Sequence, residues 1–317
     1  MYISKYQVFI QVVESGSLTG AARRLGYSQP GISHIINSME QEMGFKLLIR
    51  SKDKMIPTEN GKKVLYYCYQ IVRNETELQE TISSINGLME GIIRVGAQNS
   101  MLLDFVPSIV YRFSKLYSKI EFHILEGSSQ QLREQLPQGS IDLAFMVSDI
   151  PKGFAFLPLL HDYARVIMPE DHPFAEYDRI SPVMLNGCDF IMPISGYDDV
   201  VNSVLNNKAF HPNIRHYAAS DAAVYAMVAN GMGLSIVSEL QAGHPHDNLI
   251  SRPLDGDYYR LLGIATKTVK HAAPAVKEFI RIAQKAASEW EESRADPSRQ
   301  PVDTKIMEAP EEPEEEK

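Results

Sequence analysis

The chain of 317 residues is short of several things, and each shortage excludes a class of protein. It has two cysteines, Cys68 and Cys188, far apart in sequence. That excludes a disulfide-stapled secreted scaffold and points to a reduced, cytoplasmic protein with two partly buried thiols. The nine histidines form no pair with a cysteine at metal-ligand spacing, so neither a metal nor a cofactor is expected. No apolar run reaches the roughly 20 residues a membrane span needs. The amino terminus enters an amphipathic helix without a signal peptide, so no membrane partner is expected. There is no nucleophile elbow, no phosphate-cradling glycine loop and no histidine–carboxylate pairing for one pocket. Catalytic residues are therefore expected to be none, and the chain is not read as an enzyme.

What is present begins with charge. The net charge is −9, the wrong sign for a nucleic-acid binder, but it is unevenly placed. In the first sixty-odd residues Lys5, Arg23, Arg24, Lys46, Arg50, Lys52, Lys54, Lys62 and Lys63 outweigh Glu14, Glu40, Glu42, Asp53 and Glu59. The acid lies at the far end, so the local sign near the amino terminus is the one that matters there.

The most informative stretch is SLTGAARRLGYSQPGISHIINSMEQEMG, from Ser17 to Gly44. Its spacing predicts one helix over about 18–25, with Ser17 as N-cap and Gly26 as terminator. A second is predicted over about 29–43, capped by Ser28, with Pro30 in its first turn and Gly44 at its end. Ile32, Ile35, Ile36, Met39 and Met43 give the second helix an apolar face. Gln29, Ser33, His34 and Asn37 share the opposite face. Uncharged hydrogen-bonding side chains at that spacing suit the reading of base edges in a major groove. The alternative is the polar outer face of an ordinary helical subdomain. A first helix over about 3–15 is to pack its Tyr6, Phe9, Ile10 and Val13 stripe on this pair.

The opening FIQVVESGSLTGAARRLGYSQPGISHIINSMEQEMGFKLL, with Arg50 and the PTENG run after it, resembles the winged helix-turn-helix of LysR-type transcriptional regulators. Phe9, Gly16-Ser17, Ala21-Ala22, Ser28-Gln29-Pro30, Glu40, Gly44 and Arg50 carry the likeness in order. The sequence departs from the family pattern at His34, where Arg is usual, and across Leu47–Ile49, which has no Phe. The resemblance implies a sequence-specific regulator acting on double-stranded DNA. Thr19, Ser28, Gln29, Pro30, Ser33, His34 and Asn37 would meet the groove, and Arg50, Lys52 and Lys54 of a two-stranded wing would meet phosphates. For Lys52 and Lys54 an ordinary solvated turn is the other reading. Some relatives use a peroxide-sensing cysteine pair, a minor alternative for Cys68 and Cys188.

From Glu59 to Met89 the residues Val64, Cys68, Ile71, Leu78, Ile82, Ile85 and Met89 recur at steps of three and four, broken at Glu75. That is a coiled-coil seam needing a partner, against the alternative of packing on its own chain. By resemblance the partner is a second copy, giving a homodimer and, as a dimer of dimers, a tetramer; RNA polymerase is a further implied partner. Gly87 and Gly91 mark a hinge. Beyond it, strands and helices alternate. Strands are read at 92–96, 120–125, 143–147, 154–160, 164–168, 189–192, 214–218, 234–237 and 258–266. Helices are read at 102–116, 130–136, 200–208, 222–230 and 274–290. Such alternation argues for a mostly parallel sheet. VGAQNSMLLDFVPSIVYRF, GSIDLAF, HPFA and VANGMGLSIVSE resemble the family's effector domain, two Rossmann-like lobes of periplasmic-binding-protein type.

The expected fold is thus α/β with an N-terminal all-α winged helix-turn-helix (1–58), a linker helix (59–90) and an effector-binding domain (91–290). Lobe I would take about 91–163 and 264–290, lobe II about 164–263, and 291–317 would be a disordered acidic tail. A small-molecule effector would sit at the strand ends between the lobes. The candidate contacts are Gln98, Asn99, Ser100, Met101, Ser128, Ser129, Met146, Val147, Ser148, Ile194, Ser195, Ala219, Ser220 and Asp221. By resemblance Ser100 holds an effector carboxylate. Plain N-capping is the other reading of each serine, and core packing that of the methionines, including Met192 and Met227. Asp221 disfavours an anion or pairs with an amine.

Overall fold

The computed structural model describes residues 4–51, 54–85, 90–193, 201, 204–206, 209–243, 248–270, 272–294, 299 and 301–308. Three helices form the head. Helix α1 (Lys5–Ser15) opens on a capping box in which the Ser4 hydroxyl accepts from the Gln7 amide and the Gln7 side chain accepts from the Ser4 amide. Helix α2 (Leu18–Leu25) starts where Ser17 Oγ accepts from the Gly20 amide at 2.8 Å. Helix α3 (Gln29–Met43) starts where Ser28 Oγ accepts from the Gly31 amide. It ends at Gly44 with φ 78°, a left-handed backbone that glycine adopts without a Cβ penalty. Val8, Phe9, Val12, Ala21, Ile32 and Met39 close the core between the helices, with Leu47 and Cys68 against them.

Strands β1 (Leu48–Ser51) and β2 (Lys54–Pro57) pair antiparallel as the wing. Two devices fix its root. The Met55 amide donates to the Gly16 carbonyl at 2.7 Å. Glu40, buried at the end of α3, accepts from the Leu47 amide at 2.8 Å, the Leu48 amide at 3.3 Å and Lys46 Nζ at 2.5 Å. Helix α4 (Glu59–Ile85) begins beside it. Thr58 Oγ1 accepts from the Gly61 amide and donates to the Lys46 carbonyl, both at 2.8 Å. A Cβ on Gly61 would stand 2.1 Å from the Leu47 carbonyl oxygen, so only glycine lets this helix approach the wing. The PTENG run is therefore a strand end, a cap and a close approach in sequence.

The seam expected along α4 is divided. Val64 and Cys68, with Leu65, Tyr69 and Val72, pack on the chain's own head. Ile71, Leu78 and Ile82 remain exposed, Leu78 at 56%, and Tyr67 lies one turn before Ile71 at 65%. The first half is thus a correction: those apolar residues serve the intramolecular core. The side chain of Ile85 and the whole of Gly87 and Met89 lie outside the described residues. The middle of α4 rests on the next domain, where Gln70 Nε2 donates to the Pro137 carbonyl at 2.9 Å. Arg73 and Thr76 face Arg94, Asp142 and Ala273 across a small recess.

In lobe I, β3 (Gly91–Ala97) lies parallel to β4 (Ile120–Glu126) and β5 (Leu143–Val147). The helix expected over 102–116 is two: α5 (Asn99–Leu102) and α6 (Phe105–Leu116), broken at Asp104 (φ −145°, ψ −48°). Helix α7 (Ser129–Gln138) follows β4. The two strands expected after β5 are one, β6 (Ala155–Pro169). His161-Asp162-Tyr163 interrupts the apolar pattern, but all three are buried, so the strand continues through them.

In lobe II, β7 (Asp189–Pro193) and β8 (Asn213–Ala218) pair parallel. Val201, Val204 and Leu205 are the described helical residues between them. Helix α8 (Asp221–Ala229), β9 (Ser235–Ser238), α9 (Glu239–Ala242) and β10 (Leu249–Pro253) follow, β10 being a strand the sequence pattern did not show. The chain returns to lobe I as β11 (Tyr259–Thr266), antiparallel to β5 and β6, and α10 (Pro274–Ser293). The return thus begins at Tyr259, earlier than the expected 264. The sheet is mixed rather than mostly parallel: β9, β10 and β11 all run antiparallel to β6. This follows from β6 crossing between the lobes, with β11 on its first half and β9 and β10 on its second. Phe113, Phe145 and Phe279 centre one core and Phe190, Val166 and Ile236 the other. The assigned tail is ordered in part. Helix α10 runs past residue 290, and β12 (Met307–Glu308) pairs antiparallel with Phe156 and Ala155.

Candidate functional site

Two sites emerge, one on the head and one at the crossover between lobes. On the head, burial of Ile32, Ile36 and Met39 turns the opposite side of α3 outward. Gln29, Pro30, His34 and Asn37 are exposed there, with Ser33 half-buried on the flank. Ser28 is exposed at the helix start, its oxygen used as the cap. Thr19 is exposed in the first turn of α2, and Arg23 and Arg24 are exposed at its end. Arg50 and Lys54 are exposed on the two wing strands, and the stem of Lys54 lies beside Gly16. Lys52 lies outside the described residues. The structure therefore gathers one uncharged hydrogen-bonding helix face and flanking cations on one head.

The crossover is built differently. Arg260, on β11, is the direct cross-strand neighbour of Asp162 on β6. Its Nε and Nη2 donate to Asp162 Oδ2 at 2.9 and 2.7 Å. Nη2 also reaches Ser100 Oγ at 2.8 Å and Ser238 Oγ at 3.2 Å. Asp162 Oδ1 accepts from the Leu240 amide at 3.0 Å. Both charges are nearly inaccessible, with side chains 4% and 0% exposed. Buried charges are tolerated only when paired and hydrogen-bonded, and this pair is both.

Ser100, the residue expected to meet an effector carboxylate, is part of this network. It is only 4% exposed and already receives a guanidinium. Gln98 is equally buried and donates through Nε2 to Ser129 Oγ at 2.7 Å, while its Oε1 has no partner among the described residues. Asn99 is exposed and bonds Glu126. Ser128 caps α7 and Ser220 caps α8, as the capping alternative has it. Ser148, Ala219 and Ser220 are exposed and Asp221 is half-buried. Met101, Met146 and Val147 are packed in the cores, and Met192 is buried too. Their side chains fill lobe interiors rather than offering a surface. Met227 is half-buried against a smaller cluster. Ile194 and Ser195 lie outside the described residues.

The sequence reading missed Arg260, Asp162 and Ser238. For the pair, the signal was a base alone in the otherwise apolar YYRLLGIAT and an acid in the largely apolar LLHDYARVI. A lone charge in such a strand requires a buried partner of opposite sign.

The cysteines do not meet the needs of a redox pair. Burial pushes the Cys68 thiol up to about 11. Burial, and then the Asp189 carboxylate, raises that of Cys188. A raised thiol pKa disfavours the reactive thiolate. Cys68 lies in the head core, whereas Cys188 packs at the edge of lobe II.

A winged trihelical head, a long connecting helix and two α/β lobes sharing a crossover are the build of a ligand-responsive transcriptional regulator. Residues 3–62 match the family model "Bacterial regulatory helix-turn-helix protein, lysR family", and residues 86–288 match "LysR substrate binding domain". The chain belongs to the LysR family of transcriptional regulators. It is 27% identical over 289 residues to the uncharacterized HTH-type transcriptional regulator YvbU of Bacillus subtilis, covering 90% of this chain and 98% of that one. It is 29% identical over 250 residues to the RuBisCO operon transcriptional regulator of Allochromatium vinosum, covering 75% and 80%. Among solved structures, a full-length OxyR cysteine mutant from Pseudomonas aeruginosa superposes with a TM-score of 0.70 at 20% identity, covering 90% of this chain and 98% of that one. CbnR superposes with a TM-score of 0.66 at 17% identity, covering 90% and 99%. These likenesses show the same fold. No described helix is long and apolar enough to cross a membrane.

Proposed function

We propose that this LysR-type regulator reads double-stranded DNA through Gln29, Ser33, His34 and Asn37, with Thr19, Ser28 and Pro30 framing the groove contact. Arg50, Lys52 and Lys54 hold the flanking phosphates. The observation that carries this reading is the outward, uncharged, hydrogen-bonding face of α3 beside a basic wing. It acts in the cytoplasm, performs no catalysis and works with RNA polymerase. The exposed Tyr67, Ile71, Leu78 and Ile82 of α4 support pairing with a second copy, and two such pairs make a tetramer.

The effector is a small carboxylate held between the lobes, with Ser129, Ser148 and Ser220 among its contacts. The exposed Ser148 and Ser220, just past the carboxyl ends of β5 and β8, support that choice. The test is a gel shift with DNA from upstream of the protein's own gene, at rising salt. Retardation that weakens steeply with salt is expected, because phosphate contacts release counterions. Equal retention of a random duplex and the upstream duplex at every salt concentration would overturn sequence-specific reading. Mass spectrometry of a carboxylate incubated with the protein separates a regulator, which returns it unchanged, from an enzyme.

A further inference from the structure

The family model ends at residue 288, and the alignment with the Bacillus relative covers 98% of that protein but 90% of this one. The residues beyond α10 are thus an addition to the family frame. Where they are described, they do not point away from the molecule. Arg299 forms a two-pronged pair with Glu239, Nη1 to Oε2 at 2.9 Å and Nη2 to Oε1 at 3.0 Å. Its guanidinium also lies over the Tyr163 ring, 4.5 Å from the centroid. Arg294 stacks on Trp290 at 3.8 Å and stands 3.7 Å from the same Glu239. Further along, Met307 and Glu308 lengthen the sheet by pairing with Phe156 and Ala155 at the start of β6.

The residues gripped are informative. Tyr163 is the last residue of β6 paired with β11 of lobe I, and Ala164 is the first paired with β9 of lobe II. Glu239 directly follows β9 and opens α9, whose Leu240 belongs to the lobe I core. Arg299 therefore touches two of the segments by which the chain passes between lobes. Arg165, on the lobe II half of β6, donates to Glu239 as well, at 3.3 Å. One carboxylate thus ties an arginine of lobe II to two from the carboxy-terminal side. A two-pronged arginine–carboxylate pair with both side chains mostly covered is geometrically demanding, so turning one lobe against the other disturbs it.

We infer that the start of β6 together with Tyr163 and Glu239 is an intramolecular docking surface, and that its occupant is this chain's own extension, through Arg299 and Met307–Glu308. Docked there, the extension clasps the crossover and resists rotation of the lobes. The effector domain of this chain is thereby stiffer than the family frame alone makes it.

Hydrogen–deuterium exchange on the full-length protein tests this, comparing it with Arg299→Ala, with Arg299→Lys and with a chain ended after Ser293. Amides of 155–165 and 238–243 are expected to exchange several-fold faster in Arg299→Ala and in the shortened chain. Arg299→Lys should fall between, because lysine keeps the charge and loses the fork. Amides of α1 to α3 should be unchanged in all three. Unaltered exchange at the crossover in Arg299→Ala overturns the inference, even if the shortened chain fails to fold. Protection in the parent that falls on dilution also overturns it, since the extension would then lie on a second copy. Gel shifts on the same samples report DNA binding separately, so the two readings fail independently.

Discussion

The reading head and the lobe crossover use polar side chains in opposite ways. On the outer face of α3, Gln29, His34 and Asn37 are exposed and the fold does not depend on them. At the crossover Ser100, Asp162, Ser238 and Arg260 face inward and satisfy one another. A polar residue on that outer face of α3 is available to a partner, whereas one at the crossover already has a structural task. Polarity alone does not mark a binding residue; the exposed or committed state of its hydrogen-bonding atoms does.

That contrast is sharpest at Asp162. Replacing it with Ala leaves the Arg260 cation buried without its carboxylate, and a loss of about 3–5 kcal/mol of stability is expected. Urea unfolding followed by fluorescence of Trp290, the single tryptophan, measures it. The paired change Asp162→Leu with Arg260→Met should recover much of the loss, because no charge is then stranded. If Asp162→Ala unfolds like the parent, the crossover is not the committed network described.

Gly61→Ala probes the root of the head. A Cβ 2.1 Å from the Leu47 carbonyl oxygen must push α4 off the wing, at a cost of about 3 kcal/mol by thermal or urea unfolding. A neutral result would mean that α4 has room to move.

Glu40→Gln tests whether a buried polar group can be structural within the head too. Burial works to raise the Glu40 carboxyl, but Lys46 and the Leu47 and Leu48 amides outweigh it and hold it below the ordinary range. A lowered carboxyl pKa gives stability that is complete above the unfolded-state pKa and lost as pH falls through the folded one. Glu40→Gln should therefore cost about 1.5–2 kcal/mol near neutral pH, with parent and variant converging in acid. A gap that stays constant from neutral pH into acid would remove the charge from the explanation.

The smallest effect on stability belongs to α3. Asn37→Ala and Ser33→Ala should alter stability by less than about 0.5 kcal/mol. Each should weaken specific DNA binding by about 1 kcal/mol or more. Lys54→Ala should weaken specific and random DNA alike and lower the salt slope by about one. If Asn37→Ala unfolds early but binds normally, the comparison between the two regions collapses.

The two regions also differ in how far the sequence discloses them. Ser17, Gly26, Ser28 and Gly44 act on neighbours within four residues, so spacing alone gives the helices of the head. Asp162 and Arg260 meet across 98 positions, and Ser100 and Arg260 across 160. No local pattern carries that information, so Ser100 reads as an available donor until its partner is seen. The seam of α4 is an intermediate case. Its period is visible, yet the period does not say that Cys68 turns toward the head while Leu78 stays open. The extension misleads through composition. Its Pro and Glu suggest a solvated tail, but among its described residues Arg299 pairs with Glu239 and Met307–Glu308 pair with β6.

The contact of Gln70 with Pro137 mounts α4 on lobe I. From Gln70 back to Glu59, at the wing end, the helix runs 11 residues, about 16 Å at 1.5 Å per residue. A tilt of about 12° at the mount carries that end roughly 3.5 Å, close to the rise of one base pair along a duplex. A turn of that size is therefore large enough to move a recognition helix from one step of the groove to the next.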